Sequence, residues 1–386
     1  GICFSSFAFA TDYSITSSTT SQITLNNSDT LTVSSGGSIN YTGAAATTGS
    51  WKTFSDSTTT ITNAGTISAS AGQAISHVKS TDFSLNNSGM ISTANGQAYA
   101  VYLPWPMGTT VITNSGTISS GDWAGLDVST GEDVTITNSG TISATTTQAI
   151  RANNVTTDKL VINNSGTISG TNTVIYLANS DGITLTNSGT ISASSGSPIW
   201  AYYTDDTTIT NTGTISGTTY GISEIGYSGA DLILVNKGTI TGGTRDLKVH
   251  DADGMKTLTN DQGAGDALTY EGYLPATYKF LANSTSDYGK LAVTSGNGTM
   301  AFTIDSTSSL SATTYSDVFT GVASSLIGSG TSGTCSCSNG NFNWSLAETS
   351  SGSTNWNLTI ANADTTAPTT TFSPTNSATA VAVASD

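Results

Sequence analysis

The residues able to do chemistry in this chain are carboxylates and aromatic rings, and positive charge is scarce. Asp82, Asp133, Asp158, Asp181, Asp205, Asp206 and Asp231 each stand five or six residues before a recurring Asn. Such spacing places them at one repeating corner, stacked over one another. Like charges at that separation repel by roughly 1 kcal/mol per pair in high dielectric. A row of this kind suits calcium, which takes carboxylate oxygens at flexible corners. Asp also closes turns through its own side chain, so the row has a purely structural use as well. Asp251-Ala-Asp-Gly254 lacks the later Glu of a calcium loop, and no Gly-Gly-x-Gly-x-Asp repeat is present. Calcium is therefore the one cofactor the sequence raises, and the candidate ligands are Asp82, Asp133, Asp158, Asp181, Asp205 and Asp231.

Aromatic residues form the second group: Tyr99, Tyr102, Trp105, Trp123, Tyr176, Trp200, Tyr202, Tyr203 and Tyr220. Trp105, flanked by Pro104 and Pro106, and the cluster Trp200, Tyr202 and Tyr203 are the candidates for exposed contacts with sugar rings or a protein partner. Tyr99 and Tyr176 fall at a position otherwise held by aliphatic residues and read as core.

Catalysis finds little support. Polysaccharide lyases and hydrolases need carboxylates clustered with Arg or Lys on one face. The only arginines are Arg151 and Arg245, and the only histidines are His77 and His250. Asp205 and Asp206 are adjacent, so in a strand they point to opposite faces. No zinc-ligand, phosphate-loop or Ser-His-Asp spacing occurs.

The elements that must position these groups follow from an internal repeat. Ile-Thr-Asn-Ser-Gly-Thr-Ile-Ser and its variants recur with Asn at Asn63, Asn87, Asn114, Asn138, Asn164, Asn187, Asn211 and Asn236, an average step of about 25 residues. Ile stands four positions after every one of these Asn, Ile or Leu two before, and Gly two after. Each unit reads as strand, corner, strand, because Thr-Ile-Thr and Gly-Thr-Ile-Ser both alternate with period two. The Gly suits a corner needing positive φ. A third strand begins about ten residues past each Asn, as in Gln73-Ala-Ile-Ser-His-Val78 and Gln148-Ala-Ile-Arg-Ala-Asn153.

Three short strands per unit cannot bury an inner face alone, but stacked turns can, each strand pairing in parallel with its equivalent one turn away. The expected fold is all-β: a parallel β-helix, or β-solenoid, of about 25 residues and three strands per turn, the right-handed form being the commoner. The Asn residues then form a side-chain amide ladder. At roughly 4.8 Å per turn, eight clear turns make a rod of roughly 40 Å.

The chain divides accordingly. Residues 1–10 have the form of the end of a secretory signal peptide, apolar and closing on Ala8-Phe9-Ala10. Residues 11–60 hold an N-terminal cap and the first turns, and 61–263 the solenoid repeats. Residues 264–363 form a small β-rich C-terminal cap domain; a Cys-x-Cys bridge is strained, which favours Cys335 and Cys337 as a free pair, while export would permit their oxidation. Residues 364–386 are a linker and the opening of a truncated Ig-like module. No apolar run of 18 residues predicts a membrane span.

Composition agrees. Only 9% of residues are charged, with 10 Lys and Arg against 26 Asp and Glu, giving a net charge of −16. A chain this acidic and this poor in helix formers excludes helical bundles, nucleic-acid grips and polybasic membrane patches.

The repeat run behind an exported N-terminus resembles the passenger domains of bacterial autotransporter-type β-solenoid repeat adhesins. That resemblance covers residues 60–260 and implies secretion and display at the bacterial cell surface, at the outer membrane. It also implies an adhesin or structural stalk, meeting glycans or surface proteins of another cell. A β-helix polysaccharide-processing enzyme and a surface-layer or fibre subunit are the alternatives.

Overall fold

The computed structural model describes residues 10–25, 28–42, 46–48, 58–77, 82–94, 98–105, 108–131, 133–155, 159–225, 231–263, 265–363, 370–371 and 383–384. The signal-peptide expectation and most of the Ig-like segment lie outside them, as does Asp158.

The chain winds into a parallel β-solenoid of about 11 turns. Three sheets build it, with 14, 10 and 16 strands, and as far as Thr239–Gly242 sequence neighbours fall in different sheets, so each turn there contributes one strand to each. Coiling begins at Asp12–Ile15, which pairs in parallel with Thr30–Val33. One repeat shows the logic. Val134–Asn138 lies in the first sheet, Thr141–Ala144 in the second and Ile150–Asn153 in the third. Ile136, Ile142 and Ile150 point inward and are fully buried, while Thr135 and Thr137 face out.

Register is strict because a slip of one residue would turn each Ile to solvent. Ile67, Ile91, Ile118, Ile142, Ile168, Ile191, Ile215 and Ile240 stack in one unbroken column, all fully buried. Removing each such side chain from water stabilises the coil by about 1.5–3 kcal/mol.

The recurring Gly holds its place for a different reason from the one its sequence position implies. Gly116 and Gly140 do not adopt positive φ. A Cβ built on Gly140 would meet the Gly116 carbonyl oxygen at 2.1 Å and the Ser115 carbonyl carbon at 2.6 Å. The corners of successive turns stack backbone on backbone, and only a residue without Cβ fits between them.

The sequence period fades after Asn260, yet the coil continues. The first and third sheets extend through Leu268–Tyr273, Thr277–Phe280, Leu291–Asn297 and Met300–Ile304. The second sheet ends at Thr239–Gly242. Side chains close its edge: Gln262 accepts the Ile240 N–H at 2.8 Å and donates to the Ile240 carbonyl at 3.0 Å, as a neighbouring peptide would, and Asp246 accepts the Gly242 N–H at 2.8 Å. With the second sheet gone, large rings fill the interior. Tyr270, Tyr278, Phe280, Tyr315 and Phe319 are buried, and Tyr278 and Phe302 meet Phe319 edge-on at 5.0 and 5.6 Å.

The coil closes on antiparallel strands: Thr314–Thr320 pairs with Trp356–Asn362, which pairs with Gly340–Glu348, which pairs with Ser332–Cys337. Here Cys335 and Cys337 form a disulfide, correcting the free pair expected from the sequence. Residues two apart share a strand face, and the strand ends in a tight turn, Cys337 lying opposite Gly340. Their Cα atoms are 5.3 Å apart, inside the bridging range. Among the described residues no helix is long and apolar enough to cross a membrane.

Candidate functional site

The corner between the first and second sheets carries the amide ladder. Asn63 Nδ2 donates to Asn87 Oδ1 at 2.7 Å, and the same bond repeats through Asn114, Asn138, Asn164, Asn187, Asn211 and Asn236 to Asn260. Every member is buried. The ladder is polar in direction, each amide donating to the following turn. It starts where Val33 sits opposite Asn63 and stops where Phe280 sits opposite Asn260. Asn63 Oδ1 is consequently buried with no donor.

The chemically mixed surface lies on the third sheet. Strands such as Ile150–Asn153 alternate inward and outward residues, and the outward positions form one column: Tyr102, Asp127, Arg151, Tyr176 and Trp200, in register over successive turns. Asp127 and Arg151 each stand thirteen residues after their Asn, so the period itself sets them side by side. Arg151 Nη1 donates to Asp127 Oδ2 at 2.6 Å, and Ser129 Oγ donates to Asp127 Oδ1 at 2.8 Å. The Asp127 side chain is fully buried while that of Arg151 is 30% exposed. Burial pushes the Asp127 carboxyl up, and the bonds from Arg151 and Ser129 oppose that shift.

Rings roof this pair. The step from Asn87 to Asn114 is 27 residues, and the added length shifts the third strand so that Val101, not Tyr99, enters the core column. Tyr99 is thereby lifted outside, stacked on Tyr102 at 4.8 Å and edge-on to Trp123 at 5.1 Å. Burial, and next the Asp127 charge, raise the Tyr99 hydroxyl to about 12. Tyr99, Trp123, Ala124, Thr147, Gln148 and Arg151 line a cleft of about 250 Å³. Tyr176 is likewise displaced by one residue, Ile175 taking the core position, and its ring meets Trp200 edge-on at 6.1 Å.

The other sequence candidates are spread out. Trp105 and Tyr203 are 43% and 40% exposed, and both have positive φ. They occupy one column with Thr130, Asn154 and Asn179, all left-handed; the third strand ends just before this column at Trp105, Thr130 and Asn154 and runs on through it at Asn179 and Tyr203. Trp105 thus lies four turns from Tyr203, roughly 19 Å, rather than beside it. Tyr202 and Tyr203 meet edge-on at 4.3 Å.

The Asp row is real only in part. Asp181 and Asp205 are register partners, and burial followed by the charges of Asp181, Asp206 and Asp231 raises the Asp205 carboxyl. Asp231 instead pairs with Lys256 at 3.0 Å, and Asp82 accepts the Thr109 N–H at 2.9 Å. Asp133 is exposed, with a left-handed backbone. Among the described residues no group of three or more His, Cys, Asp or Glu side chains converges to hold a metal ion.

Comparison of the chain with known protein families, with curated proteins and with solved structures finds no match.

Proposed function

We propose that this chain is the rigid part of a secreted, cell-surface protein, a non-catalytic adhesin or structural stalk of the autotransporter-passenger type. The observation that carries the reading is the continuity of the coil: three parallel sheets stack turn on turn as far as Thr239–Gly242, and one amide ladder runs from Asn63 to Asn260. Each turn contacts only its neighbours, so length is added without a larger core, and the product is a stiff spacer with a repeating outer surface. Weak contacts repeated along such a rod add through effective concentration rather than through any single strong site. Thr, Ser and Asn cover that surface in place of Lys and Glu, which accounts for a charged fraction of 9%.

The test is deletion of residues 61–263 in the producing cell, with the flanking segments rejoined. The reading expects surface attachment to other cells or to a glycan-coated support to fall severalfold while growth is unchanged. Unchanged attachment, or a growth defect cured by a polysaccharide breakdown product, would count against it.

A further inference from the structure

We propose that the cleft roofed by Tyr99 and Trp123 over Arg151 is a binding subsite for a neutral hexose of an oligosaccharide laid along the coil axis. This deepens the adhesin reading by naming the class of ligand.

Four observations converge on it. The cleft, about 250 Å³, has two aromatic rings set edge to face at 5.1 Å, so it offers an apolar wall against which the C–H face of a sugar ring can lie. At its base, among the described residues, Arg151 donates through Nη1 to Asp127 and Ser129 and through no other nitrogen. Its remaining N–H groups line the opening and present the planar fork that matches paired oxygens. Asp127 is a fully buried carboxylate with both oxygens occupied. It therefore fixes the guanidinium in place and is not itself poised as a base. Finally, the outward column continues one and two turns on with Tyr176 and Trp200, whose rings meet at 6.1 Å. A second apolar wall thus lies roughly 14 Å along the same face from Tyr102.

Charge selects the ligand. Asp127 already neutralises Arg151, and the chain carries a net charge of −16. A polyanion would be repelled from the surface as a whole, whereas hydroxyl groups meet a neutral ion pair and two rings.

The intact chain would be titrated by calorimetry and tryptophan fluorescence with cellohexaose, mannohexaose and maltohexaose, and with polygalacturonate as the acidic comparator. At least one neutral hexaose should bind with Kd below about 1 mM. Trp123→Ala and Tyr99→Ala should each weaken it about tenfold, as loss of one stacking contact does. Met90→Ala, an exposed side chain on the second sheet, should leave it unchanged. Thermal melting of each variant separates loss of a contact from loss of fold, and Trp123→Phe restores binding if the ring is the contact. The proposal is overturned if no neutral hexaose binds, if binding survives both Trp123→Ala and Tyr99→Ala, or if polygalacturonate binds more tightly. Because binding is measured on the purified chain, its failure leaves surface display standing, and failure of display leaves the cleft's affinity intact.

Discussion

The amide ladder makes a quantitative prediction, because its first rung is incomplete. Asn138 accepts from Asn114 at 2.7 Å and donates to Asn164 at 2.8 Å. Asn138→Ala therefore removes two ladder bonds and leaves Asn164 Oδ1 buried without a donor. With about 0.5–1.5 kcal/mol for each bond and about 1–3 kcal/mol for the orphaned oxygen, the expected cost is about 2–6 kcal/mol. Asn63→Ala removes one bond, to Asn87 at 2.7 Å, and orphans Asn87 Oδ1. It also deletes Asn63 Oδ1, which is already buried and unpartnered. The two effects offset, and the expected cost is about 1 kcal/mol. Urea unfolding followed by circular dichroism measures both. Ile61→Val and Ile136→Val calibrate position along the rod, since these two residues share turns with the two Asn and are fully buried. If the Asn variants differ by no more than the Ile variants do, the incomplete rung has no energetic meaning and the directional ladder is refuted.

Gly140→Ala should prevent close stacking of turns and lower stability by more than about 3 kcal/mol, whereas Gly36→Ala, whose Cβ would find its nearest neighbour at an ordinary 3.6 Å, should cost little; thermal melting distinguishes them. His77 is buried against Phe83, and burial lowers its pKa to about 3 from 6.5. The native state thus binds fewer protons than the unfolded chain between those values, so stability is full above pH 6.5 and is lost as pH falls towards 3. The loss is on the order of 5 kcal/mol. His77→Leu should flatten that part of the pH–stability curve relative to the wild type, and equal slopes would contradict the assignment. Thr130→Asn relieves a β-branched residue at φ 53° in a column that already uses Asn154 and Asn179, and should raise stability by about 1 kcal/mol, read as a higher urea midpoint.

The sequence makes the coil legible because one Asn, one Gly and two aliphatic positions repeat with little drift. Where the drift occurs, inference by counting fails. Tyr99 and Tyr176 sit twelve residues after an Asn and so read as core, but two residues more ahead of one strand and one fewer ahead of the other move Val101 and Ile175 into the column instead. The Asp127–Arg151 pair was within reach of the same count, both lying thirteen residues after an Asn, though nothing in the spacing says that rings would cover it. The extension past Asn260 could not be read from periodicity. The coil keeps two of its sheets there, replaces Ile stacks with aromatic packing, and closes the lost sheet with the side chains of Gln262 and Asp246. The Gly positions were visible but carried the wrong reason, because contact between turns leaves no trace in local backbone preference.

Display of the rod outside the cell is the central claim, and labelling of intact cells tests it most directly. Antibodies raised against residues 61–263 would be applied to unpermeabilised producing cells, with a cytoplasmic protein as the integrity control. The account predicts surface labelling that brief external protease treatment removes. Labelling that appears only after the cells are permeabilised would contradict it.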